Sequence, residues 1–207
     1  MQVGLGAWIK RLEATVDAGA LDGLDAGSFA DERGHRRSVD GLLIAWLRGV
    51  RPEGARGFGV DLELWDALAG GGPVDAGVWC SGGALQDPRA PGRGEVSIEV
   101  WTERELSAIQ ALWALGVERG NAGWRERAEA AARWCVEELQ PDNATGHPWG
   151  VNAFAALAAG GDFEADLYAQ TLLHNAQVGL GRPGRFANLV LLASLRSLEA
   201  FAGDQAG

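Results

Sequence analysis

Apolar residues recur every three or four positions over most of the chain, the spacing that places them on one face of an α-helix. The first such stretch covers residues 2–18. Its apolar positions are Leu5, Trp8, Ile9, Leu12 and Val16. The same spacing predicts a helix that starts after Ser38 and ends at a glycine and a proline, and a short helix over residues 60–69. Residues 19–37, rich in Gly, Asp and Arg, are predicted to form a loop.

Five more helices are predicted in the C-terminal half, separated by short turns. They cover about residues 102–119, 124–139, 148–159, 163–178 and 185–201. The first would begin at Thr102, where Glu105 three residues later completes a capping box. The last two are apolar on most sides, so we expect neighbouring helices to enclose them. The charged residues of the second helix predict a solvated face: Arg125, Glu126, Arg127 and Glu129.

Inner and outer helices joined by short turns describe layered helical hairpins. We therefore predict an all-α fold, either a partial α/α-toroid-like ring or an irregular helical bundle, in a single domain spanning residues 1–207. A long Gly- and Pro-rich loop, residues 70–100, could divide it into parts covering 1–70 and 99–203. We prefer a loop lying across the domain, since it contains apolar residues able to dock. Near the end of the loop, apolar and polar residues alternate over Val96–Trp101, which predicts a brief extended segment.

Three runs of the C-terminal half resemble the helical hairpins of α/α-toroid enzymes: WTERELSAIQALWAL, AARWCVEELQPDNATGHPWGVNAF and LYAQTLLHNAQ. That group includes the six-hairpin glycosidases and the terpenoid-cyclase-like toroids. The resemblance covers roughly residues 99–201 and rests on helix rhythm and aromatic-rich turns. It implies a partial ring, or one completed by another copy. It also implies ligands such as sugars or polyprenyl chains, held by carboxylates and aromatic platforms at the ends of inner helices. The Asp-rich motifs of terpenoid cyclases are missing from this sequence, which disfavours the terpenoid-cyclase branch of the resemblance.

The composition narrows the class of protein. Apolar residues make up 47% of the chain and charged residues 22%, as in an ordinary globular domain. The net charge of -10 disfavours nucleic acid and anionic membranes as partners. Cys80 and Cys135 form no disulfide framework or zinc motif, and Cys135 is predicted to be a buried free thiol. The N-terminus does not read as a signal peptide, so we expect a cytoplasmic location. Because no zinc spacing or nucleotide-binding loop is present, we expect neither metal nor cofactor.

Polar side chains collect in the turn that precedes the predicted helix over 148–159. Turns between rigid elements often carry function, although the same residue types also make ordinary turns. Glycoside hydrolysis needs a pair of carboxylates, and imidazole can act as a base. The catalytic candidates are Glu99, Asp142 and His147. Glu103, near a loop–helix junction like Glu99 and Asp142, is a further candidate for the carboxylate pair. The alternative is that it complements the helix dipole, as acidic residues in a first helical turn commonly do.

Amide and aromatic groups suit sugar hydroxyls, which need directional partners beside a flat apolar face. The ligand-binding candidates are Trp101, Asn143, Trp149, Asn152, His174 and Asn175. The alternative for Asn152 and Asn175 is a hydrogen bond across the helix layer. His174 is expected inside an enclosed helix, where a lone histidine is more often a hydrogen-bonded core residue than a ligand. Asp142, His147 and His174 could together hold a metal ion, but their wide separation along the sequence argues against such a site.

Together these patterns predict a helical domain that binds a polar small molecule, such as a carbohydrate, in a pocket at the ends of inner helices. Whether it is catalytic is left open. The alternative is a non-catalytic structural or protein-interaction module that self-associates as a homo-oligomer.

Overall fold

A computed structural model describes residues 3–17, 19–52, 59–87, 97–139, 146–178 and 181–206. Within these ranges the chain forms eight α-helices and no β-strand, which confirms the all-α prediction. The helices are α1 (Leu5–Glu13), α2 (Asp40–Arg48), α3 (Val60–Gly70), α4 (Ile98–Glu118), α5 (Ala122–Glu138), α6 (Val151–Ala159), α7 (Phe163–Val178) and α8 (Arg185–Ala206). A 3₁₀ turn lies at Ala76–Val78 in the long loop.

Helices α4, α6 and α8 pack on one another at the centre of the domain. Residues 105–117 of α4 are all buried, and α6 is buried over most of its length. The other helices surround this centre: α3 and α5 flank α4, α7 flanks α6, and α1 and α2 pack on α8. This arrangement agrees with a helical bundle of inner and outer helices.

Two predictions about enclosure have different outcomes. Helix α8 is buried as expected, with Leu189 to Leu191 fully inaccessible to solvent. The prediction for α7 is wrong along one side, because Phe163, Leu167 and Val178 are exposed there. Helix α7 packs on α6 and α5 through its opposite side only.

Helix α8 is also long and apolar enough, by length and composition, to cross a membrane. Of its most apolar 18-residue window, 56% is buried inside the protein. Core helices of water-soluble proteins pass the same test.

Helix α4 begins four residues earlier than the sequence predicted. Its N-cap is Ser97 and its first residue is Ile98, so both the capping box and the extended segment over 98–101 are wrong. Thr102 lies inside the helix and is buried. Val96 lies outside the described residues.

Glu105 has a long-range role instead of a capping role. It is fully buried, and its carboxylate accepts the backbone N–H groups of Leu85 at 2.6 Å and Gln86 at 2.9 Å. Burial raises the pKa of Glu105, and these hydrogen bonds act in the opposite direction. The carboxylate therefore fixes the end of the loop over 80–87 against α4.

Arg127 fixes the same loop from α5. Its guanidinium donates to the carbonyl oxygens of Cys80, Gly83 and Ala84 at 2.8–3.0 Å. Glu129, two residues further along α5, accepts a hydrogen bond from Trp113 at 3.2 Å. Glu126 is exposed, as predicted for the solvated face of this helix. The prediction is wrong for Arg127 and Glu129, which are half-buried and have hydrogen-bond partners outside α5. Cys135 is a fully buried free thiol, as predicted.

Candidate functional site

Side chains from the beginnings of four helices meet at one end of the domain. Arg37 lies just before α2, and Glu103 lies in the second turn of α4. His147 and Trp149 lie just before α6, and Phe186 is the second residue of α8. Their direct contacts show that the four helices start at the same end.

The centre of this arrangement is a hydrogen-bonded group that we call the Arg37–Glu103–His147 cluster. Glu103 Oε1 lies 2.8 Å from His147 Nδ1 and 3.2 Å from Arg37 Nε. Arg37 Nη2 lies 3.0 Å from His147 Nε2. A guanidinium can only donate, so Nε2 accepts and the imidazole proton is on Nδ1, from which it is donated to Glu103.

Two neighbouring groups fix the position of Arg37. Asp31 Oδ2 accepts from Arg37 Nη2 at 2.9 Å, while its other oxygen accepts the backbone N–H groups of Arg33 and His35. The guanidinium also lies over the ring of Phe186, 4.1 Å from its centroid. An arginine stacked on an aromatic face and paired at its edge has little freedom to rotate.

Charged and hydrogen-bonding neighbours lower the pKa of two carboxyl groups at this site, those of Asp31 and Glu103. Burial acts to raise the pKa of Asp31, but hydrogen bonds from Arg37 and from the His35 and Arg33 backbone lower it to about 2. Burial likewise acts against ionisation of Glu103, and the contacts with His147 and Arg37 outweigh it, so its pKa is below the ordinary value. Both groups are therefore anionic at neutral pH.

Asp40, the first residue of α2, responds in the opposite way. It is only 3% exposed, and burial raises its pKa to about 6 despite a hydrogen bond from the Arg37 backbone N–H at 2.9 Å. Its Oδ1 atom has no hydrogen-bond partner among the described residues. The nearest guanidinium nitrogen of Arg37 is 3.8 Å from Oδ2, too long for a hydrogen bond.

The cluster borders two clefts. One, which we call the His147 cleft, has a volume of about 350 Å³. Its polar lining residues are Asp31, Glu32, Arg33, His35, His147 and Asn175. The other, the Arg104 cleft, has a volume of about 310 Å³. Its polar lining residues are Arg36, Arg37, Ser38, Asp61, Glu103, Arg104 and Ser107.

Trp149 is inside the site but cannot present a stacking face to a ligand. It is 0% exposed, and its ring packs against those of Trp65 and Phe186 at centroid distances of 5.8 and 5.5 Å. Its Nε1 points to Glu103 at 3.4 Å. The predicted role as a sugar platform is therefore wrong, because aromatic rings from distant parts of the chain cover it.

The predicted polar residues of α6 and α7 are in different environments. Asn152 is fully buried and donates to Gln110 O and Ser197 Oγ, both at 3.2 Å, which is the alternative considered for it. Asn175 lines the His147 cleft together with His147. His174 is exposed, so the prediction that it is enclosed is wrong, and it lines neither cleft.

The candidates near the start of α4 are outside both clefts. Glu99 is exposed, and a hydrogen bond from Ser97 lowers its pKa. Trp101 is half-buried and packs edge-on against Trp134, with ring centroids 6.0 Å apart. Asp142 and Asn143 lie outside the described residues.

The sequence indicated His147 and Asn175, and it offered Glu103 both as a candidate carboxylate and as a residue that complements the helix dipole. It gave no indication of Arg37, Asp31 or Asp40. The described ranges contain no group of three or more His, Cys, Asp or Glu side chains placed to hold a metal ion. None of the family models, curated proteins or solved structures compared with the chain matches it.

Proposed function

We propose that this protein binds a small polar molecule in the clefts that border the Arg37–Glu103–His147 cluster. The observation that carries the proposal is the cluster itself, whose partly buried charged side chains come from the starts of separate helices and reach two clefts. Fixed polar groups beside a concave surface are the usual form of a ligand pocket. Pairing within the cluster would explain Arg37, but it does not explain Arg104, which has no hydrogen-bond or ion-pair partner among the described residues.

The geometry favours binding over acid–base catalysis. A carboxylate that orients an imidazole is one part of a general base, and Glu103 occupies that position behind His147. The nitrogen that would take the proton is Nε2, and it already accepts a hydrogen bond from Arg37. Arg37 would have to leave before His147 could act as a base.

A carbohydrate is one polar ligand within this proposal, in line with the toroid resemblance. Stacking on Trp149 or Trp101 does not support it, since both rings pack on other aromatic rings. Support comes from the charged and amide groups of the His147 cleft, which can bind hydroxyl groups through directional hydrogen bonds.

The test is a thermal-shift and calorimetric screen of neutral sugars, amino acids, dicarboxylates and divalent metal ions. It compares the wild type with His147→Ala and with the matched control His174→Ala, an exposed histidine outside both clefts. We expect at least one compound to stabilise the wild type and the control but not His147→Ala. His35→Ala repeats the test at the exposed edge of the His147 cleft, with a side chain that lies 3.4 Å from Asp31 and is not itself a member of the cluster. No binding, or equal binding by all variants, would reject the proposal.

A second candidate function is self-association as a non-catalytic interaction module. Helix α7 exposes Phe163 (67%), Leu167 (43%) and Val178 (65%), whose spacing places them on one side of the helix. Exposed apolar side chains on one side of a helix occur at interaction surfaces, although here Thr171 and His174 separate Leu167 from Val178. A second copy of the chain, packing α7 against α7, is the occupant we propose.

Light scattering coupled to size-exclusion chromatography tests the second candidate. We expect a dimer for the wild type, a monomer for Leu167→Glu and a dimer for the control Glu199→Gln, an exposed change on α8. A monomeric wild type at high protein concentration would reject self-association and leave the ligand proposal unaffected.

A further inference from the structure

We infer that the Arg104 cleft holds the anionic group of the ligand, a carboxylate or a phosphate. The inference rests on the proposed function and specifies the chemistry of the same site. It depends on the cationic side chains of the cleft, on the helix ends that open into it, and on the balance of charges around it.

Three guanidinium groups line the cleft, those of Arg36, Arg37 and Arg104. Arg104 is half-buried and has no hydrogen-bond or ion-pair partner among the described residues. Arg37 Nη1 is buried and makes no hydrogen bond within the described residues, although Asp40 Oδ2 lies 3.8 Å from it. Arg36 is exposed and makes one long hydrogen bond, 3.4 Å, to the Ser28 carbonyl oxygen. Guanidinium donors match the oxygen spacing of carboxylate and phosphate, so these unused donors favour an oxyanion.

Two helices also begin at the cleft. Val39, the N-cap of α2, and Asp61 and Leu62, in the first turn of α3, all line it. Neither helix start has a side-chain cap. The first-turn N–H groups of a helix have no partner within the helix, and the positive end of the helix dipole attracts anions. These ends therefore add to the attraction supplied by the guanidinium groups.

Most of the carboxylates near the cleft face Arg37. Its guanidinium lies 2.9 Å from Asp31, 3.2 Å from Glu103 and 3.8 Å from Asp40. The cations that remain to attract an anion are Arg36 and Arg104, which are set against Asp61 in the lining of the cleft. Glu103 already accepts from Arg37 and His147, and Asp61 is only 8% exposed. The chain as a whole carries a net charge of -10, so general electrostatics do not attract an anion to this protein. Binding of an anion would have to come from the local donors.

Nitrogen-15 NMR titrations with inorganic phosphate and, separately, with malonate test the inference at constant ionic strength. We expect saturable shifts of the amides over 38–42 and 61–62. Arg104→Gln should weaken the preferred anion about tenfold, the loss expected for a charge-assisted hydrogen bond. Arg51→Gln removes the same charge from an exposed position that lines neither cleft, and it should leave the affinity unchanged.

The tighter of the two anions identifies the group that the cleft takes. Shifts that do not saturate, or that change equally in Arg104→Gln and Arg51→Gln, would overturn the inference. The proposed function can fail separately. If an anion binds through Arg104 but no compound depends on His147, the anion site stands and the wider proposal fails. If a neutral compound depends on His147 while neither anion depends on Arg104, the wider proposal stands and the inference fails.

Discussion

Among single residues, Arg37 sets the charge balance of the cluster. Its guanidinium contacts Glu103 at 3.2 Å and Asp31 at 2.9 Å, and it lies 3.8 Å from an oxygen of Asp40. One cation thus serves three carboxyl groups, and His147 supplies a further donor to Glu103. Such partly buried charges are interdependent, because removing one partner leaves another without compensation. Substitutions in this group should therefore affect stability more than substitutions of similar residues elsewhere.

Glu103→Gln tests this dependence while keeping the size of the side chain. It removes the negative charge that faces Arg37 and His147, so we expect the free energy of unfolding to fall by about 1–3 kcal/mol, the value of hydrogen bonds to a charged group. Urea denaturation at neutral pH measures the change. The control is Glu99→Gln, an exposed position on the same helix, which should leave the free energy of unfolding almost unchanged. Equal effects of the two substitutions would contradict the role given to the cluster.

Asp40 should make stability depend on pH. Burial raises its pKa from 3.8 to about 6, so the folded protein binds a proton over a range in which the unfolded chain has released it. The stability associated with this group is complete below about pH 4 and is lost as the pH rises through about 6. Relative to Asp40→Asn, the wild type should lose on the order of 1–3 kcal/mol between pH 4 and pH 7.5.

Chemical denaturation of both proteins at several pH values measures this difference. Histidine also changes charge in this range, so the comparison is repeated in a His147→Gln background. The amide of the Asp40→Asn protein could also accept the hydrogen bond from the Arg37 backbone N–H less well than the native carboxyl group does. That effect would change the stability difference between the two proteins by the same amount at every pH. A difference that does not vary with pH would show that Asp40 does not titrate as proposed.

At the scale of helices, α4 and α5 form a tight hairpin that depends on a glycine. A Cβ atom on Gly116 would lie 2.9 Å from the backbone nitrogen of Arg125 and 3.1 Å from the carbonyl oxygen of Asn121. Backbone atoms at these distances cannot move without displacing the start of α5. Close packing at this point therefore determines how near the two helices come.

Gly116→Ala should destabilise the protein by about 1–3 kcal/mol, the usual cost of overpacking. Gly6→Ala is the matched control, since nothing lies within 4 Å of its added Cβ and it is in the first turn of α1. That change should be neutral or slightly stabilising, because alanine has the higher helix propensity. Thermal unfolding monitored by circular dichroism compares the two, and a neutral Gly116→Ala would mean that the hairpin can open at no cost.

Arg127 and Glu105 connect the long loop to α5 and α4. Arg127→Lys keeps the charge but cannot reproduce the fork of donors that holds three carbonyl oxygens. We expect faster amide hydrogen exchange at Leu85 and Gln86, whose N–H groups are bound to Glu105. Arg133→Lys, on an exposed part of the same helix, should leave this exchange unchanged. Protection that is equal in both variants would mean that Glu105 alone holds the loop.

At the scale of the whole molecule, local patterns predicted most of the helices. The spacing of apolar residues located α7 at 163–178 and the start of α8 at 185, both as the structure has them. The start of α4 was missed because Thr102 and Glu105 have the spacing of a capping box. The true partners of Glu105 are in the loop over 80–87, and no local signal relates them.

The candidate site was predictable only in part, for a similar reason. His147 stands out because it lies in a polar turn, whereas Arg37 and Asp31 lie in a stretch with many charged residues. Which of those charges is buried depends on Phe186 and Glu103, which come from other helices. Trp149 was misassigned because its covering rings are also distant in sequence. Burial of polar and aromatic groups is set by tertiary contacts, which one sequence does not reveal.

These tertiary contacts form one continuous core, and that predicts how the chain unfolds. The buried apolar cluster includes Trp8 of α1, Trp65 of α3, Leu112 of α4, Leu172 of α7 and Leu198 of α8. No part of this core can lose its packing without exposing the rest, so we expect a single cooperative transition. Tryptophan fluorescence and far-ultraviolet circular dichroism should give the same urea midpoint. Two separated transitions would instead indicate that the parts before and after the long loop fold independently.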